Sequence, residues 1–261
     1  MADDDDLRTV APLGLALGGG GALGAAHVGV LQVLHERGIR PTIVAGTSVG
    51  SVIGGAYALG IDPYRLADMV THTQWGDFAS PVKGPGFGVL DTDGLRETVE
   101  SLGGDRKIED LPIRYGAVAT DLFSRKPVVL ERGSLCDAMC ASIAVPVLFR
   151  PTARDGKLLV DGGLVENLPL EAAFEMGAAH VIGVRLVPEW DRLPQFRASV
   201  RVHEMEIRPD VTLIQPRIGR RSQFSRRDLP GLVVLGREAA ERTFADYPIV
   251  HERPTVASPL R

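Results

Sequence analysis

The chain has 261 residues, 44% of them hydrophobic, and a formal net charge of −4. That length suits one α/β domain, and that apolar content fills a large core. The slightly acidic balance gives no electrostatic reason to invoke nucleic acid. No apolar run approaches a membrane span, and no Cys/His cluster carries metal-ligand spacing, so no metal or cofactor is indicated.

Residues 1–10 open with the acidic run Asp3–Asp6 and are expected to be a disordered tail; 11–261 are expected to form a single domain. No basic segment followed by an apolar one precedes the domain, so a cytoplasmic location is expected. Leu13–Leu17 reads as a buried strand, Gly18–Gly24 as a glycine-rich turn, and 25–37 as an amphipathic helix ended by Gly38. A glycine run between strand and helix leaves convergent N–H groups bare, which makes an anion site. Gly19, Gly21 and Gly24 have the spacing of a dinucleotide fingerprint. That fingerprint also needs an acid about 20 residues on, at the end of the second strand. Here the second strand ends in Ala45-Gly46-Thr47-Ser48. The missing carboxylate favours an oxyanion as the ligand. Close helix–strand packing alone would also explain the glycines. His27, beside the loop, is expected to be structural.

A strand over 42–46 runs into Gly46-Thr47-Ser48-Val49-Gly50, followed by a helix over 49–59. Gly-x-Ser-x-Gly at a strand-to-helix turn exposes the serine hydroxyl, while the glycines clear room for the tight approach. A capping serine in a plain βα turn is the competing reading. Asp62-Pro63 is a good N-cap and N1 pair for a helix over 63–72. The segment 74–90, with Trp75, Phe78 and Phe87, is too rich in Gly and Pro for a helix; it reads as a lid or as a loop anchored to the core.

A helix is expected over 94–101 and strands over 115–120 and 127–130. Ser134 caps a helix over 135–143, with Asp137 completing a capping box. Cys136 and Cys140 within it read as buried thiols rather than a disulfide. The strand 158–161 ends at Asp161-Gly162-Gly163, which taken alone is an ordinary Asp-Gly turn. A helix over 169–176, strands over 181–186 and 211–215, and a helix over 231–244 complete the pattern. Between the last two lies Arg217–Arg227, basic around Phe224, read as a solvated loop answering nearby acids, with attraction to anionic lipid headgroups as the competing reading. Alternating strands and helices imply an α/β fold: a three-layer αβα sandwich with a mostly parallel central sheet.

Several blocks resemble the patatin-like phospholipase family in its compact bacterial form. They are LALGGGGALGAAHVGVLQVL, the GTSVG elbow, AVATDLFSRKPVVLERG, ASIAVPVLFRP, DGGLVENLPL and GAAHVIGVRL. The resemblance implies a Ser–Asp dyad, with Ser48 as nucleophile, Asp161 as general base, and Gly19, Gly20 and Gly21 as oxyanion-hole donors. It also implies a lipid or acyl-ester substrate; no cofactor is expected, and the aromatics of 74–90 and the arginines of 217–227 leave a peripheral membrane contact open. A Ser-His-Asp order is formally open, because His180, His203 and His251 follow Asp161. Their contexts, a strand's N-terminal end and charged irregular segments, argue against it. One departure stands out. The family usually carries Arg or Lys before the last glycine of its loop, and this chain has Leu23. Leu23→Arg is therefore expected to raise kcat/KM, unless Leu23 packs in the core. The departure also motivates an alternative: a non-catalytic or regulatory protein that binds acyl ligands.

Overall fold

The computed structural model describes residues 11–72, 80, 81, 90, 91, 94–97, 106–186, 203–223, 225 and 227–246. The strands are β1 (Leu13–Leu17), β2 (Ile43–Thr47), β3 (Ser80–Pro81), β4 (Leu90–Asp91), β5 (Arg114–Asp121), β6 (Pro127–Leu130), β7 (Thr152–Arg154), β8 (Lys157–Asp161), β9 (His180–Val184) and β10 (Val211–Ile214). The helices are α1 (Ala25–Glu36), α2 (Val49–Ala58), α3 (Pro63–His72), α4 (Leu135–Ser142), α5 (Leu170–Glu175) and α6 (Leu229–Thr243).

The main sheet runs β10-β9-β1-β2-β5-β8-β7, with β6 also paired to β5. Five strands, from β10 to β5, are mutually parallel. β6, β7 and β8 are antiparallel additions. Alternation along the central strands divides the core. Leu15, Leu17 and Val44 face one layer, with α1, α2, α4 and α6; Ala16, Ile43 and Ala45 face the other, with α5. Strands apolar on both faces are what a parallel sheet covered by helices demands. The mostly parallel three-layer architecture expected from the sequence is present.

The expected strands and helices occur with ends shifted by a residue or two, apart from the helix expected over 94–101, of which only 94–97 are described. α6 starts earlier than expected because Asp228 caps it, its carboxylate accepting from Gly231 N–H at 3.1 Å. Asp62 caps α3 as expected, accepting from Tyr64 N–H at 2.9 Å. Ser134 caps α4, accepting from Asp137 N–H at 2.9 Å. The Asp137 carboxylate does not close the box; it pairs with Arg96 at 2.7 Å. Cys136 and Cys140 are buried free thiols. β3 and β4 pair antiparallel inside the glycine- and proline-rich segment. Trp75, Phe78, Phe87, Phe224 and His251, the acidic tail, and residues 98–101 of an expected helix lie outside the described residues.

Candidate active site

The elbow is built on a left-handed residue. Ser48 has φ 54° and ψ −127°, a conformation costly for any residue but glycine. Its surroundings hold it there. Its N–H donates to Ser142 Oγ at 2.9 Å, and that hydroxyl donates to the Val118 carbonyl at 2.6 Å. Its carbonyl accepts from Ser51 Oγ at 2.6 Å. A Cβ at Gly50 would strike the Leu17 carbonyl, so the second glycine of the elbow is required by the approach of β1.

Asp161 arrives from the opposite direction. β2 pairs with β5 up to Thr47 opposite Val118, and β8 pairs with β5 from Leu159 down to Asp161 opposite Ala119. β6 covers the same stretch of β5, Ala117 to Thr120. A strand position has only two edges, so β2 and β8 must share one and meet end to end. The alternation of strands and helices implied a mostly parallel sheet and did not mark this strand as an exception. β8 is antiparallel, and it delivers Asp161 to Ser48 because its end abuts the end of β2.

Asp161 is buried, with 6% of its surface exposed. Burial pushes its carboxyl up to about 6, while hydrogen bonds from the Ser48 hydroxyl and Gly163 N–H favour the charged form. The Gly163 bond is 2.7 Å long.

The loop after β1 brings the third element. Gly18 N–H donates to the Val184 carbonyl at 3.1 Å, and His27 Nε2 donates to the Gly18 carbonyl at 2.7 Å. His27 is fully buried, and desolvation lowers it to about 4, so the ring is neutral and structural. Gly19 N–H donates to the Asn167 carbonyl at 3.0 Å. That bond engages one of the three expected donors. Among the described residues the N–H groups of Gly20 and Gly21 meet no acceptor. Gly21 has φ 56°, which suits glycine.

Ser48, Asp161 and Gly19–Gly21 line one cleft of about 200 Å³, walled by Val145, Pro146, Leu148 and Leu164. Leu23 does not line it; it is 4% exposed in the core beside Ala22 and Val49. The positive potential expected from a cation at this position would have to be buried.

His180 and His203 lie elsewhere. His180 starts β9 opposite Leu13 and contacts Thr212 Oγ1 at 2.8 Å; the His203 ring sits 3.9 Å from Glu206 on the surface. Arg221 pairs with Asp228 at 3.0 Å, as a loop answering nearby acids would. Ser142, Glu166 and Asn167 were not singled out by the sequence. Ser142 falls within ASIAVP, and Glu166 and Asn167 within DGGLVENLPL, but nothing in their spacing marks a role. Among the described residues no group of three or more His, Cys, Asp or Glu gathers as a metal site.

Residues 15–174 match the family model of the patatin-like phospholipases. An uncharacterized NTE family protein of Mycobacterium bovis is 41% identical over 174 residues, which is 66% of this chain and 48% of that protein. Patatin-like phospholipase domain-containing protein 6 of Mus musculus is 31% identical over 236 residues, 79% of this chain and 17% of that protein. The chain thus spans about half or less of these relatives. The crystal structure of VipD from Legionella pneumophila superposes with a TM-score of 0.61 at 14% identity, covering 91% of this chain and 67% of that one; it is similar in fold. Matched over more than half its length, this chain belongs to the patatin-like phospholipase family.

Proposed function

We propose that this protein is a serine acyl hydrolase acting on the carboxylic esters of lipids or lipid-like molecules, with Ser48 and Asp161 as its dyad. The observation that carries the reading is the end-to-end meeting of β2 and β8 on one edge of β5, which puts both residues in one cleft with open glycine N–H groups.

In this mechanism the Asp161 carboxylate takes the proton as Ser48 Oγ attacks the ester carbonyl. The oxygen gains negative charge opposite the N–H groups of Gly20 and Gly21, which need no reorganisation to meet it. The protonated Asp161 then donates to the leaving alkoxide, giving free alcohol and an acyl-Ser48 ester. Water, deprotonated by Asp161, attacks that ester and releases the acid and Ser48. A base near pH 6 suits both proton transfers, because it is ionised at neutral pH yet protonates readily next to the leaving group. The apolar wall of Val145, Pro146, Leu148 and Leu164 fits an acyl chain rather than a peptide or sugar. Leu23 is buried and neither blocks nor lines the cleft, which supports the catalytic reading over a non-catalytic one.

The test is labelling with a fluorophosphonate and peptide mass mapping. The adduct mass is expected on the peptide containing Ser48 and absent in Ser48→Ala. Equal labelling of the variant would refute the assignment.

A further inference from the structure

Two exposed apolar turns hang from the strand that carries Asp161. In the first, β5 passes into β6 through Leu122–Lys126. Phe123 there is 81% exposed, and Leu122 is exposed beside it. In the second, the loop from Ala144 to Arg150 exposes Val145 and Leu148, with Val147 at 79%. Both are tethered to β8: Leu122 N–H donates to the Leu158 carbonyl at 2.8 Å, and Asp161 N–H donates to the Ala144 carbonyl at 2.9 Å. Residues 158 and 161 are three apart on a strand, so the tethers are separated by about 10 Å. The two turns therefore hang from one support, and the second also walls the cleft through Val145, Pro146 and Leu148.

Neither turn looks like a loop placed only for packing. Val147 has φ 74°, a strained conformation for a β-branched residue, and the strain faces solvent instead of a core contact. Phe123 leaves one of the largest apolar side chains outside every layer. The unpaired charges around them have one sign. Arg125, Lys126 and Arg150 are exposed and form no ion pair among the described residues. Lys157 faces Asp121, while that carboxylate is already held by Ser124 Oγ. Asp155, the exposed acid nearby in sequence, is matched by Arg154 at 3.6 Å.

We propose that Leu122–Lys126 and Val145–Arg150 form a docking face for an anionic phospholipid surface, with Phe123 and Val147 entering the lipid and the basic residues meeting headgroups. The occupant follows from the chemistry: unpaired cations beside projecting apolar side chains match a layer that is anionic outside and apolar beneath. The Val145–Leu148 loop is shared by this face and the cleft wall, so docking sets the cleft mouth against the surface from which a lipid ester would enter. The inference deepens the hydrolase reading and rests on it for what the docked protein does.

The experiment keeps the two separable. Full-length protein is floated with vesicles of phosphatidylcholine alone or of equimolar phosphatidylcholine and phosphatidylglycerol, and hydrolysis of a soluble butyrate ester is measured in parallel. Wild type is expected to float with the anionic vesicles and to be released by salt. Phe123→Asp and Val147→Asp should each lower partitioning by about tenfold or more, the loss from keeping a large apolar side chain out of lipid. Arg125→Glu combined with Lys126→Glu should abolish the preference for phosphatidylglycerol. The Phe123 variants and the Arg125/Lys126 double variant, which lie outside the cleft lining, should hydrolyse the soluble ester at the wild-type rate. Phe123→Ser provides a milder variant should the aspartate lower the melting temperature. Wild type that ignores anionic vesicles, or variants that float like wild type, would overturn the docking face. So would a change in sedimentation on Phe123→Asp without vesicle binding, which would assign the face to a protein partner or a second copy. Loss of butyrate hydrolysis in wild type would instead strike the hydrolase reading and leave the flotation result standing.

Discussion

Two glycine-rich turns lie side by side at the ends of β1 and β2, and they use the same punctuation for opposite purposes. The Gly18–Gly24 turn presents backbone: Gly20 and Gly21 leave N–H groups open to the cleft while no side chain intervenes. The Gly46–Gly50 turn presents a side chain: Ser48 N–H and carbonyl are both tied back, to Ser142 and Ser51, and only the hydroxyl is left to act. In the first turn glycine is needed for its conformation at Gly21; in the second it is needed for closeness, at Gly50 against β1. A strand-to-helix turn can thus supply either donors or a nucleophile, depending on which groups its neighbours satisfy.

The sharpest way to break the comparison is to remove what the second turn presents. Ser48→Ala and Asp161→Asn should each lower kcat by about 10⁴-fold or more with little change in melting temperature. The wild-type kcat/KM should rise with pH and level off above about 6, because the ionised Asp161 is the active form and acid protonates it. A profile flat from pH 4 to 8 would remove Asp161 from the role of base. Unchanged activity in either variant would mean the elbow is only a turn.

Next in size is the tie that holds Ser48, the proposed nucleophile, in its strained conformation. Ser142→Ala deletes the acceptor of Ser48 N–H while leaving the hydroxyl in place. A drop of roughly 10–100-fold in kcat is expected, as for displacement of a reacting group by a fraction of an ångström to an ångström. KM should move less than kcat. A loss in stability with kcat intact would make Ser142 a packing residue and nothing more.

Most of this architecture could be read from the sequence because each element carries its own local signal. The GTSVG elbow, the glycine run, the Asp62-Pro63 start and the Ser134 cap all depend on neighbours within a few residues. What stayed hidden depends on distant partners. Ser142 meets Ser48 across 94 positions, and Thr47 Oγ1 donates to the Glu166 carbonyl at 2.8 Å across 119. The antiparallel course of β8 was equally hidden, since pairing direction is set by the chain path through β7 and not by the residues KLLVD. The fate of Gly19 is a third case: the family resemblance implied a donor, and only the fold brings the Asn167 carbonyl to engage it.

Leu23→Arg tests the first turn. The sequence suggested that a cation here would aid the oxyanion. The structure puts Leu23 in the core, so an arginine must either bury its charge or push α1 away from the loop. A loss of about 2–4 kcal/mol in stability is expected, with no gain in kcat/KM. Urea melts and ester kinetics on the same preparation decide it. A stable variant with a tenfold gain would show that the guanidinium finds the cleft after all, about 1.4 kcal/mol of selective stabilisation.

The smallest effect concerns the segment that both turns lean on. Glu166 offers its carbonyl to Thr47, next to Ser48, and Asn167 offers its carbonyl to Gly19, in the glycine loop. The Glu166 carboxyl is itself buried and accepts from Ala172 N–H at 3.2 Å at the start of α5. Burial pushes it up to about 7, with Glu171 and Glu175 acting in the same direction and the Ala172 bond against it. In the unfolded chain it would titrate near 4.5. The folded state therefore holds its proton more tightly, and stability from this group is present below pH 4.5 and is lost as pH rises toward 7. Glu166→Gln keeps the shape and the acceptor for Ala172 but cannot ionise. The variant should melt close to wild type at pH 4 and above it at pH 8, by roughly 1–3 kcal/mol. Parallel stability curves across that range would mean the carboxyl ionises without cost. A variant less stable at pH 8 would reverse the sign and show that the charged form is favoured. If the predicted gain appears and kcat is unchanged, the clamp serves both turns through its backbone alone. If kcat falls while stability rises, the carboxyl also tunes the spacing between the donors and the nucleophile.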